Sequence, residues 1–368
     1  MSDRLKEIAE HLRHVPMLSS VPPDYLRAVA ATVKPQLLRR HQVLFREGEH
    51  GDSLAVVTKG RLAVRRRVAD GHVDVGVVYP GEVVGEMSCV DPQPRNASVV
   101  ATVESEVLTL SRNAFNAMAD QSKTLAVALR GAILHVLTQR LRETNARIEA
   151  TLAARGIDSS AALAPITLSD MPEPEDASGG RLDLTKVSCL RNFELNELKA
   201  LVEVAPPKTY PAGYVLCVEG KPGDSCYIIA RGTVDISRRV RGEERHLARL
   251  SDGAMIGQLA LIDGAPRAAR VTAASSVVAL RLSRSNFNRL LSGRGPFGIR
   301  FQAQLAVAGV RQLRAATERL AMLMDASRPS RKTPTDTKEL SVLQAAIEQW
   351  DMELTRLFDK VEEHIPDA

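Results

Sequence analysis

The sequence of 368 residues has few of the residues that build disulfide frameworks, zinc sites or aromatic-rich surfaces. It contains four cysteines, one tryptophan and an aromatic content of only 4%. No two cysteines form a Cys-x-x-Cys pair, and the eight histidines show no zinc-type spacing. We therefore predict no disulfide scaffold and no metal site, and we expect the cysteines to be buried or idle thiols.

Long apolar runs are also missing. No run approaches the roughly 20 residues that a helix needs to cross a bilayer. The first residues are polar and lack the apolar core of a signal peptide. These features predict a cytoplasmic protein without a membrane span.

A large excess of one charge is absent as well, because 49 basic residues face 44 acidic ones and leave a net charge of +5. So small an excess does not identify a nucleic-acid binder. Two basic stretches, Arg65–Arg67 and Arg238–Arg241, fall at predicted strand ends and have no interleaved aromatic residues for base stacking. We do not expect them to bind nucleic acid.

The sequence does contain a long internal repeat, at an offset of 172 residues. Residues 43–53 read VLFREGEHGDS and residues 215–225 read VLCVEGKPGDS. The match continues without a gap through Gly85 on Gly257, Pro94-Arg95 on Pro266-Arg267 and Phe115 on Phe287. Because glycine marks turns with special backbone angles, matched glycines at this distance imply two copies of one fold.

Each copy predicts a β-roll followed by helices. Short apolar or alternating runs are separated by glycine turns, which is typical of a β-sandwich, barrel or jelly roll. The segments 113–154 and 286–324 are rich in Ala, Leu and Arg, and Gly131 is the predicted break in the first of them. The predicted fold class is α+β: two β-roll (double-stranded β-helix or jelly-roll) domains with flanking helices, plus a C-terminal amphipathic helix.

The predicted organisation has six segments. They are an N-terminal helix at 1–14, domain A at 15–154, a flexible acidic Pro/Gly linker at 155–182, domain B at 183–326, a linker at 327–337 and a coiled-coil-like helix at 338–366. Apolar residues in the last helix alternate at spacings of three and four from Leu340 to Val361. This spacing suits a helix packed on its own domain or one that docks a partner. We expect a homodimer or a protein partner to use helices 122–154 and 338–366.

The most informative segments are 81–98, which reads GEVVGEMSCVDPQPRNAS, and its counterpart 253–270, which reads GAMIGQLALIDGAPRAAR. With the upstream EGxxGDS sequences, they resemble the phosphate-binding cassette of cyclic nucleotide-binding domains. That family includes the regulatory subunits of cyclic-AMP-dependent protein kinase and the catabolite-activator-type transcription factors. The residue types suit anion binding, because a glycine before a helical turn exposes backbone N–H groups and an arginine fork matches two phosphate oxygens.

The resemblance implies a first ligand site, site A, in copy one. Its residues are Gly85, Glu86, Met87, Ser88, Arg95 and Asn96. Glu86 would accept a hydrogen bond from the ribose 2′-hydroxyl and Arg95 would pair with the cyclic phosphate. Backbone amides of the turn would complete the cradle.

Site B in copy two differs at one position. Its residues are Gly257, Gln258, Leu259, Ala260, Arg267 and Ala268. Gln258 stands where the family has glutamate, so the hydrogen bond loses its charge assistance and about half its strength. We expect site B to be weaker, altered in its ligand or vestigial. In the family a small residue after the arginine accompanies cyclic AMP and a threonine accompanies cyclic GMP. Ala268 therefore favours cyclic AMP, while Asn96 leaves the base open and cyclic GMP possible.

The sequence offers no Ser/His/Asp set, no metal-type carboxylate cluster and no Walker loop, so we predict neither catalytic residues nor a catalytic cofactor. The resulting hypothesis is a bacterial-type, non-catalytic sensor of cyclic AMP or cyclic GMP that changes its helix packing or partner binding. The alternative is a structural scaffold with degenerate nucleotide sites that assembles through its helices. We predict neither the helix-turn-helix of a transcription factor nor the Arg-Arg-x-Ser/Ala segment of a kinase regulatory subunit.

Overall fold

The computed structural model describes residues 3–18, 21, 23–155, 174–177, 182–240 and 243–326. The predicted linker at 327–337, the predicted helix at 338–366 and most of the predicted linker at 155–182 lie outside the described residues. The chain divides into two compact units. Unit 1 lies within residues 1–154 and 289–326, and the described part of unit 2 lies within 155–288.

The β-roll of copy one is built from two four-stranded sheets. Their strand orders are β1-β8-β3-β6 and β2-β7-β4-β5, and the paired strands are antiparallel. The strands are β1 (Lys34–Leu38), β2 (Val43–Phe45), β3 (Ser53–Lys59), β4 (Leu62–Val68), β5 (Gly71–Val78), β6 (Val83–Val84), β7 (Ser98–Ala101) and β8 (Ser105–Ser111). Alternate residues of both sheets point inward and fill the core, among them Leu38, Phe45 and Val57.

Copy two repeats this topology in unit 2. Its sheets have the orders β15-β12-β17-β10-β9 and β11-β16-β13-β14. The strands are β9 (Glu175–Asp176), β10 (Pro207–Tyr210), β11 (Val215–Cys217), β12 (Ser225–Arg231), β13 (Val234–Val240), β14 (Glu243–Leu250), β15 (Met255–Ile256), β16 (Arg270–Ala273) and β17 (Val277–Ser283). The short β9 comes from the segment predicted as a flexible linker, and it pairs with β10 at the sheet edge.

The two rolls share irregularities as well as strands. The strand register shifts after Val57 in copy one and after Ile229 in copy two, which are equivalent positions of the repeat. A second pair of shifts follows Val64 and Ile236. A β-bulge adds a residue to one strand only. Bulges at matched positions therefore mean that the two rolls have the same local backbone structure. The prediction of two β-roll domains with flanking helices is confirmed.

Most helices precede or follow the rolls, whereas the short α3 and α7 lie between strands within them. They are α1 (Asp3–Arg13), α2 (Pro23–Thr32), α3 (Met87–Val90), α4 (Arg112–Gln121), α5 (Lys123–Arg155), α6 (Leu195–Val204), α7 (Leu259–Ile262), α8 (Arg284–Leu291) and α9 (Pro296–Asp325). The break after copy one falls at Ser122, whereas the predicted break at Gly131 lies inside α5. Gly131 has no positive φ, and a Cβ there would have no atom within 4 Å outside the local helix backbone, so α5 continues through it. In the described part of the chain, no helix is long and apolar enough to span a membrane.

Helix α9 is placed differently from the sequence-based prediction, which assigned residues up to 326 to domain B. In the structure, residues 289–326 belong to unit 1 together with copy one. A Cβ on Gly309 of α9 would lie 3.5 Å from Leu137 Cδ1 on α5, so the two helices approach closely at that glycine. The buried face of α9, which includes Phe301, Leu305 and Leu313, is thus covered within unit 1.

Candidate functional site

The candidate site of copy one is the turn between β6 and α3, closed by the segment that leads to β7. Gly85 begins this turn with φ +85°. A Cβ at Gly85 would lie 2.6 Å from Arg95 Nη1, 2.8 Å from Phe45 Cε2 and 2.9 Å from Ser53 O. Only glycine adopts this φ freely and leaves room for the guanidinium, so the backbone and Arg95 meet at this point because position 85 has no side chain.

A test of this close approach compares Gly85→Ala with Gly48→Ala. Gly48 has φ +83°, but a Cβ there would have no atom within 4 Å. Gly48→Ala therefore reports the left-handed backbone penalty of about 1 kcal/mol alone. Gly85→Ala adds contacts with the Ser53 carbonyl and Phe45, and we expect a further loss of about 1–3 kcal/mol in the free energy of unfolding by urea. Equal losses for the two variants would contradict the tight cradle.

Arg95 lies under the turn as a buried cation and is 8% exposed. Its Nη1 donates to Ser88 Oγ (3.0 Å) and Gly85 O (3.4 Å), and its Nη2 donates to Ser53 Oγ (3.3 Å). The guanidinium carbon lies 3.7 Å from the centroid of the Phe45 ring. Burial lowers the pKa of Arg95. Its direct partners are hydroxyls, a carbonyl and a ring, so among the described residues no carboxylate lies at ion-pair distance to neutralise it.

Glu86 places a carboxylate beside this cation and is 0% exposed. Arg140 of α5 approaches it, with 3.3 Å between Arg140 Nη1 and Glu86 Oε1, and also donates to Val83 O. Neither oxygen of Glu86 has a hydrogen-bond partner within the described residues. Buried acceptors without donors are rare in proteins, and here they leave lone pairs that can accept from hydroxyl groups.

The turn of copy two has the same backbone but a different charge arrangement. Gly257 has φ +78°, and Arg267 Nη1 donates to its carbonyl oxygen at 2.7 Å. Arg267, which is 5% exposed, also forms an ion pair with Asp224, with 3.0 Å between Nη2 and Oδ1. Asp224 accepts in addition from Arg281 Nη2 at 2.7 Å. The cation of copy two therefore already has a carboxylate partner.

The equivalent aspartate of copy one behaves differently. Asp52 accepts from Ser53 Oγ at 2.9 Å. Its charge acts to raise the pKa of Arg95, but the two side chains are not at ion-pair distance within the described residues. Burial tends to raise the pKa of Asp224, but the hydrogen bond from Ser225 and the charge of Arg281 outweigh it and lower that pKa. Asp224 thus stays ionised beside Arg267 at neutral pH.

The structure brings the remaining predicted residues to the same two turns. Met87 and Ser88 lie on α3, and Leu259 and Ala260 lie on α7. Gln258 is buried at the position equivalent to Glu86. Asn96 and Ala268 follow the two arginines and are half-buried. The side-chain oxygen of Asn96 accepts from Arg66 Nη1 at 3.2 Å, so that amide is engaged by the protein itself.

Sequence reasoning missed several residues of these sites. Ser53, Phe45 and Asp224 lie on or near strands far from the cassette in sequence, although the repeated Gly-Asp-Ser segment pointed to two of them. Arg140 had no local signal. The repeat did carry one signal for Arg140. At the offset of 172 residues, Glu86 aligns with Gln258 and Arg140 aligns with Gln312, so both charged residues of copy one align with a glutamine. Within the described residues, no group of three His, Cys, Asp or Glu side chains could hold a metal ion.

The two basic stretches are engaged in ion pairs within their own copies. Arg66 Nη1 lies 3.4 Å from Glu47 Oε1, and at the equivalent position Arg238 Nε lies 3.1 Å from Glu219 Oε1. Arg65 pairs with Asp74 across the hairpin. These arginines connect strands of the rolls, and the absence of nucleic-acid binding stays a prediction.

Comparisons with known proteins match both copies of the repeat to one family of domains. Residues 35–122 and 207–294 each match the family model of the cyclic nucleotide-binding domain. The chain is 30% identical over 138 residues to the CRP-like cAMP-activated global transcriptional regulator of Mycobacterium tuberculosis, which covers 37% of this chain and 59% of that protein. It is 26% identical over 256 residues to the cGMP-dependent protein kinase egl-4 of Caenorhabditis elegans, which covers 69% of this chain and 26% of the kinase.

Among solved structures, the regulatory domain of Toxoplasma gondii PKA, crystallised with cAMP, is 21% identical and has a TM-score of 0.31. That match covers 78% of this chain and 92% of the other. The chain spans less than two thirds of the length of either curated relative. The family match covers both copies of the repeat, including both cassettes. The chain therefore carries two cyclic nucleotide-binding domains, one in each copy of its repeat.

Proposed function

We propose that this chain is a non-catalytic sensor in which site A binds a 3′,5′-cyclic nucleotide. The supporting observation is that site A holds two complementary groups: Arg95, a buried cation with no carboxylate at ion-pair distance within the described residues, and Glu86, a buried carboxylate that pairs with Arg140 but accepts no hydrogen bond within them. A cyclic phosphate supplies the missing anion, and the adjacent ribose hydroxyl supplies the missing donor. A simple inorganic anion would satisfy only Arg95.

We propose that site B binds the same class of ligand more weakly. A phosphate entering copy two competes with Asp224 for Arg267, and this ion pair has no counterpart between Arg95 and Asp52 in copy one. Gln258 also offers the ribose a neutral acceptor in place of a carboxylate. Both differences lower the affinity of site B relative to site A.

For the base, we propose cyclic AMP as the preferred ligand and cyclic GMP as the second candidate. Ala268 after Arg267 supports cyclic AMP by the family habit, and the amide of Asn96 in site A is engaged by Arg66 instead of facing a guanine. The output would be a shift between two arrangements of the helices that follow the rolls. A homodimer or a protein partner using 122–154 or 338–366 remains part of this proposal.

The second candidate is a scaffold whose two rolls no longer bind nucleotide. The Asp224–Arg267 pair favours it for copy two, because an occupied arginine satisfies the fold without a ligand. Glu86 argues against it for copy one, because its ion pair with Arg140 balances the charge but leaves both carboxylate oxygens without a hydrogen bond within the described residues, and a ribose hydroxyl would supply one.

Isothermal titration of the full chain with cyclic AMP, cyclic GMP and acyclic 5′-AMP tests the proposal. We expect a tight and a weak phase with cyclic AMP, and a raised midpoint of thermal unfolding, because a ligand that binds only the folded state stabilises it. The acyclic 5′-AMP should bind far more weakly, since its phosphate is not tied back to the ribose. If neither cyclic nucleotide gave a heat of binding or a thermal shift, the sensor function would be overturned and the scaffold would remain.

A further inference from the structure

Helix α9 follows copy two in the chain but contacts the cassette of copy one within unit 1. Arg314 of α9 donates from Nη1 to the carbonyl oxygen of Pro94 at 2.9 Å. Pro94 is the residue immediately before Arg95. A side chain of α9 therefore holds the backbone on one side of the proposed phosphate-binding arginine.

The same helix reaches Asn96, the residue after Arg95, indirectly through the side chain of Arg66. Glu318 Oε1 lies 3.6 Å from Arg66 Nη2, and Arg66 Nη1 donates to both the carbonyl and the side-chain oxygen of Asn96. The repeat places Ala146 of α5 opposite Glu318. An alanine has no carboxylate for such a relay, so this part of the contact is specific to α9.

The contact between α9 and the cassette also buries charge. Burial lowers the pKa of Arg314, and the charge of Asp91 opposes that shift. Burial likewise raises the pKa of Asp91, against the charges of Arg314 and Arg311. Arg314 and Asp91 are half-buried, and the hydrogen bond to Pro94 O lies at the exposed edge of this contact.

We propose that α9 is a structural part of site A, with Arg314 as a positioning residue for Arg95. This inference rests on the proposed binding of a cyclic nucleotide at site A. The backbone of Arg95 is already held by two hydrogen bonds, from its N–H to Glu49 O (2.8 Å) and from Gly48 N–H to its carbonyl (2.9 Å). The hydrogen bond from Arg314 to Pro94 and the relay from Glu318 through Arg66 to Asn96 complete the restraint. A guanidinium fixed in place before the ligand arrives loses less conformational freedom on binding and binds more tightly.

The arrangement couples the two halves of the chain. The chain passes from unit 2 to unit 1 at residue 289, just ahead of α9. Whatever changes the docking of α9 changes site A, and by thermodynamic reciprocity a ligand in site A must strengthen the docking of α9. Copy two thus contributes to ligand binding by copy one through its terminal helix.

The experiment uses the full chain in an Arg267→Ala background, so that titration with cyclic AMP reports site A alone. We expect Arg314→Gln and Glu318→Gln to weaken binding about 3- to 30-fold. Arg314→Lys, which keeps a donor near Pro94, should restore part of the affinity. Met322→Ala is the matched control, because Met322 lies on the same helix and is 42% exposed. It should leave the affinity unchanged.

A second measurement does not need a ligand. Hydrogen exchange of the Gly48 and Arg95 amides in the nucleotide-free chain should be faster in Arg314→Gln than in Met322→Ala. If the wild type binds no nucleotide but this difference is present, the sensor function fails while the restraint by α9 stands. An unchanged affinity and unchanged exchange would overturn the inference. A rise in the affinity of these variants for cyclic AMP would also overturn it, because the contacts of α9 would then oppose ligand binding.

Discussion

Replacing Arg95 with alanine should remove nearly all cyclic nucleotide binding at site A. Arg95 is the buried cation of the cradle, and its guanidinium has hydroxyl, carbonyl and aromatic neighbours but no carboxylate partner within the described structure. Loss of one partner from a buried charge contact costs about 2–5 kcal/mol, which corresponds to roughly 30-fold to several thousand-fold in affinity. Titration calorimetry with cyclic AMP measures this loss directly.

The matched variant is Arg267→Ala in copy two. Because Arg267 belongs to site B, its removal should affect only the weaker phase of the titration and leave the tight phase in place. Arg95→Lys keeps the positive charge but not the planar fork, so we expect an intermediate affinity. If Arg95→Ala bound cyclic AMP within a factor of three of the wild type, the assignment of the phosphate to Arg95 would be wrong.

Replacing Arg140 with alanine should strongly destabilise unit 1 in the absence of ligand. Glu86 is fully buried, and Arg140 lies 3.3 Å from it as the cation that balances its charge. Removing one member of a buried pair leaves an uncompensated charge and costs about 3–5 kcal/mol. Since Arg140 is 24% exposed, we expect a loss at the lower end of that range. Urea unfolding of the nucleotide-free chain measures this loss of free energy. Hydrogen exchange of the amides in residues 83–90 then shows whether the loss is local to the turn.

The repeat provides a control for this prediction. Gln312, which aligns with Arg140 in the repeat, lies on α9 in unit 1, whereas Gln258 aligns with Glu86 and lies buried in unit 2 without a charge. A double variant with Glu86→Gln and Arg140→Gln should therefore recover most of the stability that Arg140→Ala loses. It should still bind cyclic AMP more weakly than the wild type, because the ribose then meets an uncharged acceptor. If the double variant is as unstable as Arg140→Ala, the stability does not depend on the balance of charge at Glu86.

The β-rolls and their cassettes could be predicted because their signals are local and repeated. Gly85 and Arg95 lie within one short segment, and the matched Gly257 and Arg267 exclude coincidence. Ser53 and Arg140 reach the same site from distant parts of the chain. Their contributions depend on tertiary packing, which spacing along the sequence does not encode. The ion pair that occupies Arg267 was missed for the same reason, since Asp52 and Asp224 are identical in sequence but not in their contacts.

The position of α9 shows a second limit of sequence patterns. The apolar residues of α9 predict a buried face, but a hydrophobic pattern does not say which surface will cover it. In the structure the cover is unit 1, and a glycine at position 309 allows the close approach of α5. The charged side chains Arg314 and Glu318 then find partners beside the cassette.

This placement has a consequence for how the protein is made. A ribosome synthesises the whole second β-roll between the end of α5 and the start of α9, which is the interval from residue 155 to residue 296. At about 5–20 residues per second, that delay is on the order of ten seconds. The first roll must wait through this time with the surface that α9 will cover still exposed. The docking of α9 is therefore a late folding step that joins residues far apart in the sequence, although the strands of the first roll are the first to leave the ribosome.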